Sequence, residues 1–322
     1  LLIPDSGFAT LRLNNVDMGL YFWTERFDKT QLERRELPEG EVFAGDDVFW
    51  DKITKEEFKT GRIQTESGLH PGSYKNIVHK KGEVAAQAQK RWSDFLALLR
   101  TRDPLKIDAE IGNYLDVQKF GTWMAMFHVF GTTHGQSADN ASWFYDPLTA
   151  LFEPILWDIS IGPTNGMDLE RDFYNPLVQA IMMSPKVRDV RNRALYKLVT
   201  EGRQEVVTAM RDTYRKIEPY LYRGADSEDQ NITTRGHLTL QNLQYTNENR
   251  IRLLETNMTA AEEWLSLQRV FGNVTFQNAT DGGGALSVEM LAQGVSAIDL
   301  ERISIEPNVA FVGKPTNLRF EL

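Results

Sequence analysis

The chain has 322 residues, 41% hydrophobic and 25% charged, with a net charge of −9 and a pI near 5.2. That apolar content is enough for a core and excludes intrinsic disorder, and an acidic balance without a dense Lys/Arg cluster argues against a nucleic-acid partner. No apolar run approaches the ~18 residues of a membrane span, and the lack of cysteine excludes disulfides, thiol catalysis and zinc–thiolate sites.

The chain opens Leu1-Leu2-Ile3-Pro4, without the pattern of a signal peptide, and is expected to begin inside a longer protein. Residues 8–25 read as strand, turn and strand, with Asn14-Asn15-Val16-Asp17 as the turn. Asp28 is placed to cap a short helix, and Glu41-Val42-Phe43 returns as a brief strand. Residues 52–91 are charged and broken by Gly68, Pro71, Gly72 and Gly82, which predicts a solvated insertion with partial helix.

Apolar residues recur at helical spacing over 92–100 and 111–130, and the second run suits a helix buried on most sides. His128 inside it reads as a core histidine. Amphipathic helices are predicted over 176–201, 205–223 and 237–268, with Pro185 starting a new helix. Beyond Val270 the pattern turns to short strands, at 274–276, 286–288, 303–305 and 317–320, separated by Gly282-Gly283-Gly284 and Pro307. Five Asn-x-Ser/Thr sequons occur, at Asn140, Asn231, Asn257, Asn273 and Asn278, and carry little weight.

The stretch from His134 to Asp158 is the most informative. Trp143-Phe144-Tyr145 and 152–157 read as strands, and Asp146-Pro147-Leu148-Thr149 supplies the turn between them. A hairpin holds its ends side by side, so Asn140 before it and Asp158 after it should converge. In protein kinases an Asn and a later Asp flank a hairpin in this way and grip the metal ions on the nucleotide phosphates. Trp123, Phe127, Phe144 and Trp157 are expected to be buried as the floor beneath them.

The run H-G-x4-N-x3-F-Y-D-P-x-T-x2-F-E-P-I-x-W-D resembles the signature of the CotH kinase family, atypical kinases first met in spore coats. Asn14 to Tyr21, followed by Glu25, is similar to that family's "N-G-x3-G-x-Y-x3-E" hairpin, with Asn15 in place of glycine. Tyr114-Leu115-Asp116-Val117 is similar to its "Y-x-D-V" helix. The resemblance runs from about residue 10 to about residue 255. It implies an α+β fold: an atypical protein-kinase-like two-lobe fold with a small C-terminal β appendage. The parts expected are an N-lobe-like region at 1–51, the insertion at 52–91, a helical C-lobe-like part at 92–268 containing the hairpin 134–158, and a β module at 269–322.

The resemblance also implies ATP and Mg²⁺ as cofactors and γ-phosphoryl transfer to Ser or Thr of a protein. It assigns metal binding to Asn140 and Asp158 and nucleotide contact to Glu25. It implies a secreted, cell-surface or spore-coat setting. In H-R-D-x4-N the catalytic base stands five residues before the Asn, which is Gly135 here (140 − 5). His134 and Asp139 are the substitutes in reach of an acceptor hydroxyl.

Many relatives carry "L-Y-K" where this chain has Val42-Phe43-Ala44, so the phosphate-clamping lysine is missing; Arg12, Lys29 and Arg34 are its candidate replacements. These gaps keep a second reading open, a pseudokinase or surface interaction module. A third is a metal-dependent hydrolase built on His134, Asp139 and Asp158.

Overall fold

A computed structural model of the chain describes residues 1–45, 69, 74–78, 82–132, 134–136, 140–163, 175–220, 240–266, 269–278, 284–293 and 318–321. Most of the predicted insertion, Asp139, residues 303–305 and Gly282-Gly283 lie outside these. The chain is α+β and divides into two compact units, Leu1–Glu262 and Glu263–Leu322. The smaller unit carries an antiparallel sheet of Arg269–Asn278 flanked by Gly284–Gln293 and Leu318–Glu321.

The large unit opens with β1 (Ser6–Leu13) and β2 (Val16–Thr24), a separate two-stranded ribbon. Its turn is tighter than predicted. Asn14 and Asn15 alone form it, both at positive φ (48° and 64°), as a hairpin turn with right-handed strands requires. Asparagine tolerates that region, which is how Asn15 replaces a glycine. A helix, α1 (Lys29–Arg34), follows, capped by Asp28 through the amide of Gln31.

The central sheet runs in the order β4 (Tyr74–Asn76), β3 (Glu41–Gly45), β5 (Ser142–Asp146), β6 (Leu151–Ile155). The predicted hairpin is therefore real, and it pairs with β3 from far upstream, Val42 opposite Phe144 and Phe43 opposite Trp143. Its loop extends to Ala150, which takes φ 57°, and Asp146 braces it by accepting from the Leu148 amide and the Thr149 hydroxyl. Pro154 is tolerated because β6 is an edge strand. That edge is covered on either side of the proline by bridges from Leu115 to Phe152 and from Leu2 to Ile155.

One face of the sheet packs on helices α2 (Glu83–Arg100) and α4 (Val117–Phe130); the short α3 (Pro104–Glu110) lies between them in sequence. Helix α2 starts nine residues before the predicted 92 (92 − 83), so the insertion ends earlier than its composition implied. Phe43, Trp92, Trp123, Phe127, Trp143 and Phe152 form one buried aromatic cluster, and Trp123 donates its indole N–H to the Ile155 carbonyl at 3.1 Å. Asp116 caps α4 through the Lys119 amide, the local reason the "Y-x-D-V" run opens a helix.

Helices α5 (Pro176–Ile181) and α6 (Pro185–Thr200) follow, the second starting at Pro185 behind the Ser184 cap. Helices α4 and α6 meet at Gly121, where a Cβ would lie 2.9 Å from the Arg191 amide nitrogen. Here His128 is buried and accepts at Nε2 from Arg191 Nη1 at 3.1 Å. Burial, reinforced by the Arg191 charge, holds the imidazole well below its usual pKa, so it is neutral. Helices α7 (Arg203–Ile217) and α8 (Leu240–Ser266) complete the main elements of this part.

Candidate functional site

Three polar side chains meet where the hairpin begins and ends. His134 lies in a single 3₁₀ turn just after α4, Asn140 two residues before β5, and Asp158 three residues after β6. His134 Nδ1 is in hydrogen-bonding contact with Asp158 Oδ2 and lies 3.3 Å from Asn140 Nδ2. Asn140 Nδ2 also donates to the His134 carbonyl at 3.3 Å. The hairpin thus converges its flanking Asn and Asp on one histidine.

Asp158 has φ 53°, a left-handed conformation uncommon for a residue with a side chain. Such a backbone persists only where its surroundings enforce it, and it tends to mark working sites. The segment just downstream is pinned to α4 and α8. The Gly162 amide donates to the Phe130 carbonyl at the end of α4, and buried Asn257 on α8 donates to the carbonyls of Val129 and Gly162 at 3.1 and 2.8 Å. Composition gave no sign of this role for Asn257, and its burial makes that sequon an unsuitable glycan acceptor.

Gly135, at the position of the kinase base, is packed shut. A Cβ there would sit 2.3 Å from the Trp157 carbonyl oxygen and 2.7 Å from Phe127 Cζ. No acid side chain fits at this position. The next residue, Gln136, is also buried.

Next to Asp158 a cleft of about 350 Å³ opens, lined by Ile3, Pro4, Ser6, Phe22, Thr24, Leu156, Trp157 and Ile159 as well as Asp158. It lies between the base of the β1–β2 ribbon and the segment leaving β6. The expected burial holds for Trp123, Phe127 and Phe144. It fails for Trp157, which is half-buried, because it has already left the sheet and forms a wall of this cleft.

Glu25 is not among the lining residues. Its carboxylate pairs with Arg34 and Arg35 and accepts from Gln31 Nε2 at 2.9 Å, and both arginines also hold Asp5. This cluster ties the ribbon's base to α1. Of the replacement cations, Arg34 is in that cluster and Lys29 pairs with Glu33 and Glu39. Ala44 sits directly opposite Lys75 of β4. Directly opposed residues project from the same face of a sheet, and Lys75 is exposed and makes no ion pair among the described residues. Pattern reading missed it because its strand is only three residues long.

On the sheet's edge, Lys119 of α4 pairs with buried Glu153. Burial raises the Glu153 carboxyl above its ordinary range, and Lys119 only partly offsets this. Partial burial works against the Lys119 ammonium, but the Glu153 hydrogen bond and charge raise its pKa overall.

Among the described residues no group of three His, Cys, Asp or Glu could hold a metal ion. The donor set at the hairpin is instead one imidazole, one carboxylate and one amide, and such donors fit a divalent cation that keeps water on its remaining positions. No described helix is long and apolar enough to cross a membrane.

The chain is α+β, and the run from His134 to Asp158 forms the hairpin described above. The family model described as "CotH kinase protein" matches residues 1–223, and the chain belongs to the CotH family. It is also similar to the "Inner spore coat protein H" of Bacillus subtilis (strain 168), at 23% identity over 235 residues, covering 68% of this chain and 61% of that relative. The chain thus spans less than two thirds of that relative's length.

Proposed function

We propose that the protein is a nucleotide-dependent phosphotransferase with a kinase-like two-lobe plan. It binds ATP with a divalent cation, nominally Mg²⁺, and transfers the γ-phosphoryl to Ser or Thr of a protein. The observation that carries this reading is the convergence of Asn140 and Asp158 from the two ends of one hairpin onto His134, beside an apolar-walled cleft.

Asp158 and Asn140 hold the cation on the phosphates, and the cleft between Pro4, Phe22 and Leu156 takes the nucleotide. Lys75, exposed opposite Ala44, supplies the phosphate-clamping charge that β3 lacks. The acceptor hydroxyl is oriented by Asp139 or His134. Phosphoryl transfer passes through a loose transition state, so positioning counts for more than strong basicity there. The coat-protein name of the Bacillus relative supports a place at the spore or cell surface.

Thermal denaturation with and without ATP and Mg²⁺, followed by intact-mass measurement, tests the proposal. A cation-dependent rise in Tm on ATP and a mass gain of one or more phosphoryl groups are expected. A chain whose Tm ignores ATP under all cation conditions overturns it.

A second reading has its own observation. Gly135 has no space for a base, so a scaffold that binds nucleotide without transfer is favoured if Tm rises but no phosphate is ever transferred.

A further inference from the structure

We infer that the outer face of the β1–β2 ribbon is the docking surface for a second copy of this chain, the two ribbons packing face to face about a two-fold axis parallel to their strands.

The strand register sorts the ribbon's side chains. Residues alternate between faces along a strand, and directly opposed residues share a face. Phe8 opposes Phe22, and their rings meet edge-on at 5.5 Å on the inner face. There Phe22 lines the cleft beside Asp158, and Phe8 closes a second hollow against Met210 and Tyr214 of α7. Arg12 and Asp17, the only charged residues of the two strands, oppose each other and belong to that inner face. The outer face carries Leu11, Leu13, Val16, Tyr21 and Trp23, each between 43% and 59% exposed, and no charge.

Area and shape commit this face to a second copy. Five large side chains, each about half exposed, present roughly 400 Å², or about 500 Å² with the backbone between them. Two such faces bury about 1,000 Å², the least that a specific interface needs. Opposed positions on this face pair a bulky residue with a small one: Tyr21 with Ala9, Trp23 with Gly7, Leu11 with Gly19. A two-fold axis along the strands lays β2 of one copy over β1 of the other, so Tyr21 stands over the exposed Ala9 of the second copy, and the reverse. The Trp23 indole already lies across Gly7, where a Cβ would be 3.0 Å from Nε1, and this keeps that end of the face level.

The net charge of −9 works against association in general, but this face brings no like charges into contact. Having no Lys or Arg, it also offers nothing to hold an anionic membrane. A two-stranded ribbon is marginally stable by itself, and the second copy supplies the missing layer.

Sedimentation equilibrium of the 322-residue protein between about 1 and 200 µM tests this, the range in which an interface of this modest size dissociates. The average mass should rise from 36.8 kDa toward twice that value. Tyr21→Lys and Ala9→Glu should each remain monomeric, with Tm within about 2 °C of wild type at exposed positions. Mixed in equal amounts, the two variants should associate again. The two-fold sets the introduced ammonium over the introduced carboxylate and leaves the other Tyr21–Ala9 contact native.

A mass of 36.8 kDa at every concentration overturns the inference, and co-sedimentation of that monomer with phosphatidylcholine vesicles would give the face to a lipid surface instead. A dimer that survives in both single variants overturns it as well, since the contact then lies elsewhere. Variants that dissociate singly but fail to associate on mixing overturn the two-fold arrangement.

Discussion

Gly135 lies against the backbone of Trp157, so closely that a Cβ on it would sit 2.3 Å from the Trp157 carbonyl oxygen. The turn that carries His134 is thereby pressed onto the segment that carries Asp158. The same contact that brings the two polar groups together removes the position where a kinase base stands. Gly135→Ala should destabilise the fold by about 1–3 kcal/mol, the usual cost of overpacking. It should also separate His134 from Asp158. Urea unfolding measures the first effect and cation-dependent stabilisation by ATP the second; a fully stable Gly135→Ala with that stabilisation intact would show that the contact is dispensable.

Asp158→Asn keeps size and polarity, and asparagine accepts the left-handed backbone that Asp158 adopts. Stability should therefore stay within about 1 kcal/mol of wild type. Cation-dependent stabilisation by ATP should vanish, since the amide lacks the charge that a metal–phosphate complex requires. Asp139→Asn should separate the two steps, leaving nucleotide binding in place while transfer falls. Undiminished ATP-induced shifts in Asp158→Asn would place the cation elsewhere.

If Lys75 supplies the phosphate clamp as proposed, Lys75→Ala should weaken ATP binding while binding of the cation alone is unchanged, because an ammonium pairs with phosphate and not with a metal ion. Stability should move by no more than about 0.5 kcal/mol, as for a surface substitution that breaks no contact. Calorimetric titration with ATP checks this. Equal affinities for wild type and Lys75→Ala would return the clamp to an unidentified group.

Trp123→Ala or Phe127→Ala should cost about 3–5 kcal/mol, the range for deleting a fully buried aromatic. Trp157→Ala should cost clearly less, because one side of the ring faces the cleft, and should instead weaken nucleotide binding. Paired urea melts and ATP titrations distinguish the two classes.

The buried neutral His128 makes acid destabilising. Its folded pKa lies well below the unfolded value of about 6.5. As pH falls below about 6.5 the unfolded chain takes up a proton that the folded chain does not, so stability declines there, by at most about 1.4 kcal/mol per pH unit. Glu153 acts in the opposite sense: its raised folded pKa makes stability recover as pH falls toward its unfolded value near 4.5. His128→Gln keeps an acceptor for Arg191 and should flatten the decline between pH 6.5 and 5.5. An equally steep Tm profile in His128→Gln would assign the slope to another group.

What the amino-acid sequence determined by itself was short-range. The Asn14-Asn15 turn, the caps at Asp28, Asp116 and Ser184, and the 142–155 hairpin follow from dihedral preferences and hydrogen bonds made within a few residues. That Asn140 and Asp158 each lie beside His134 is consistent with the same local geometry, since a hairpin returns its own ends to one place.

Tertiary structure decided the rest. Only strand register sets Lys75 opposite Ala44, and only the packing of one turn under Trp157 closes Gly135. Glu25, read as a nucleotide contact, is drawn to Arg34 and Arg35 because α1 folds back beside the ribbon's base. Trp157 looks like a core residue by composition, yet it has left the sheet and walls the cleft. These outcomes depend on partners distant in the chain, whose positions are set by burial of the shared aromatic core and carry no local periodicity.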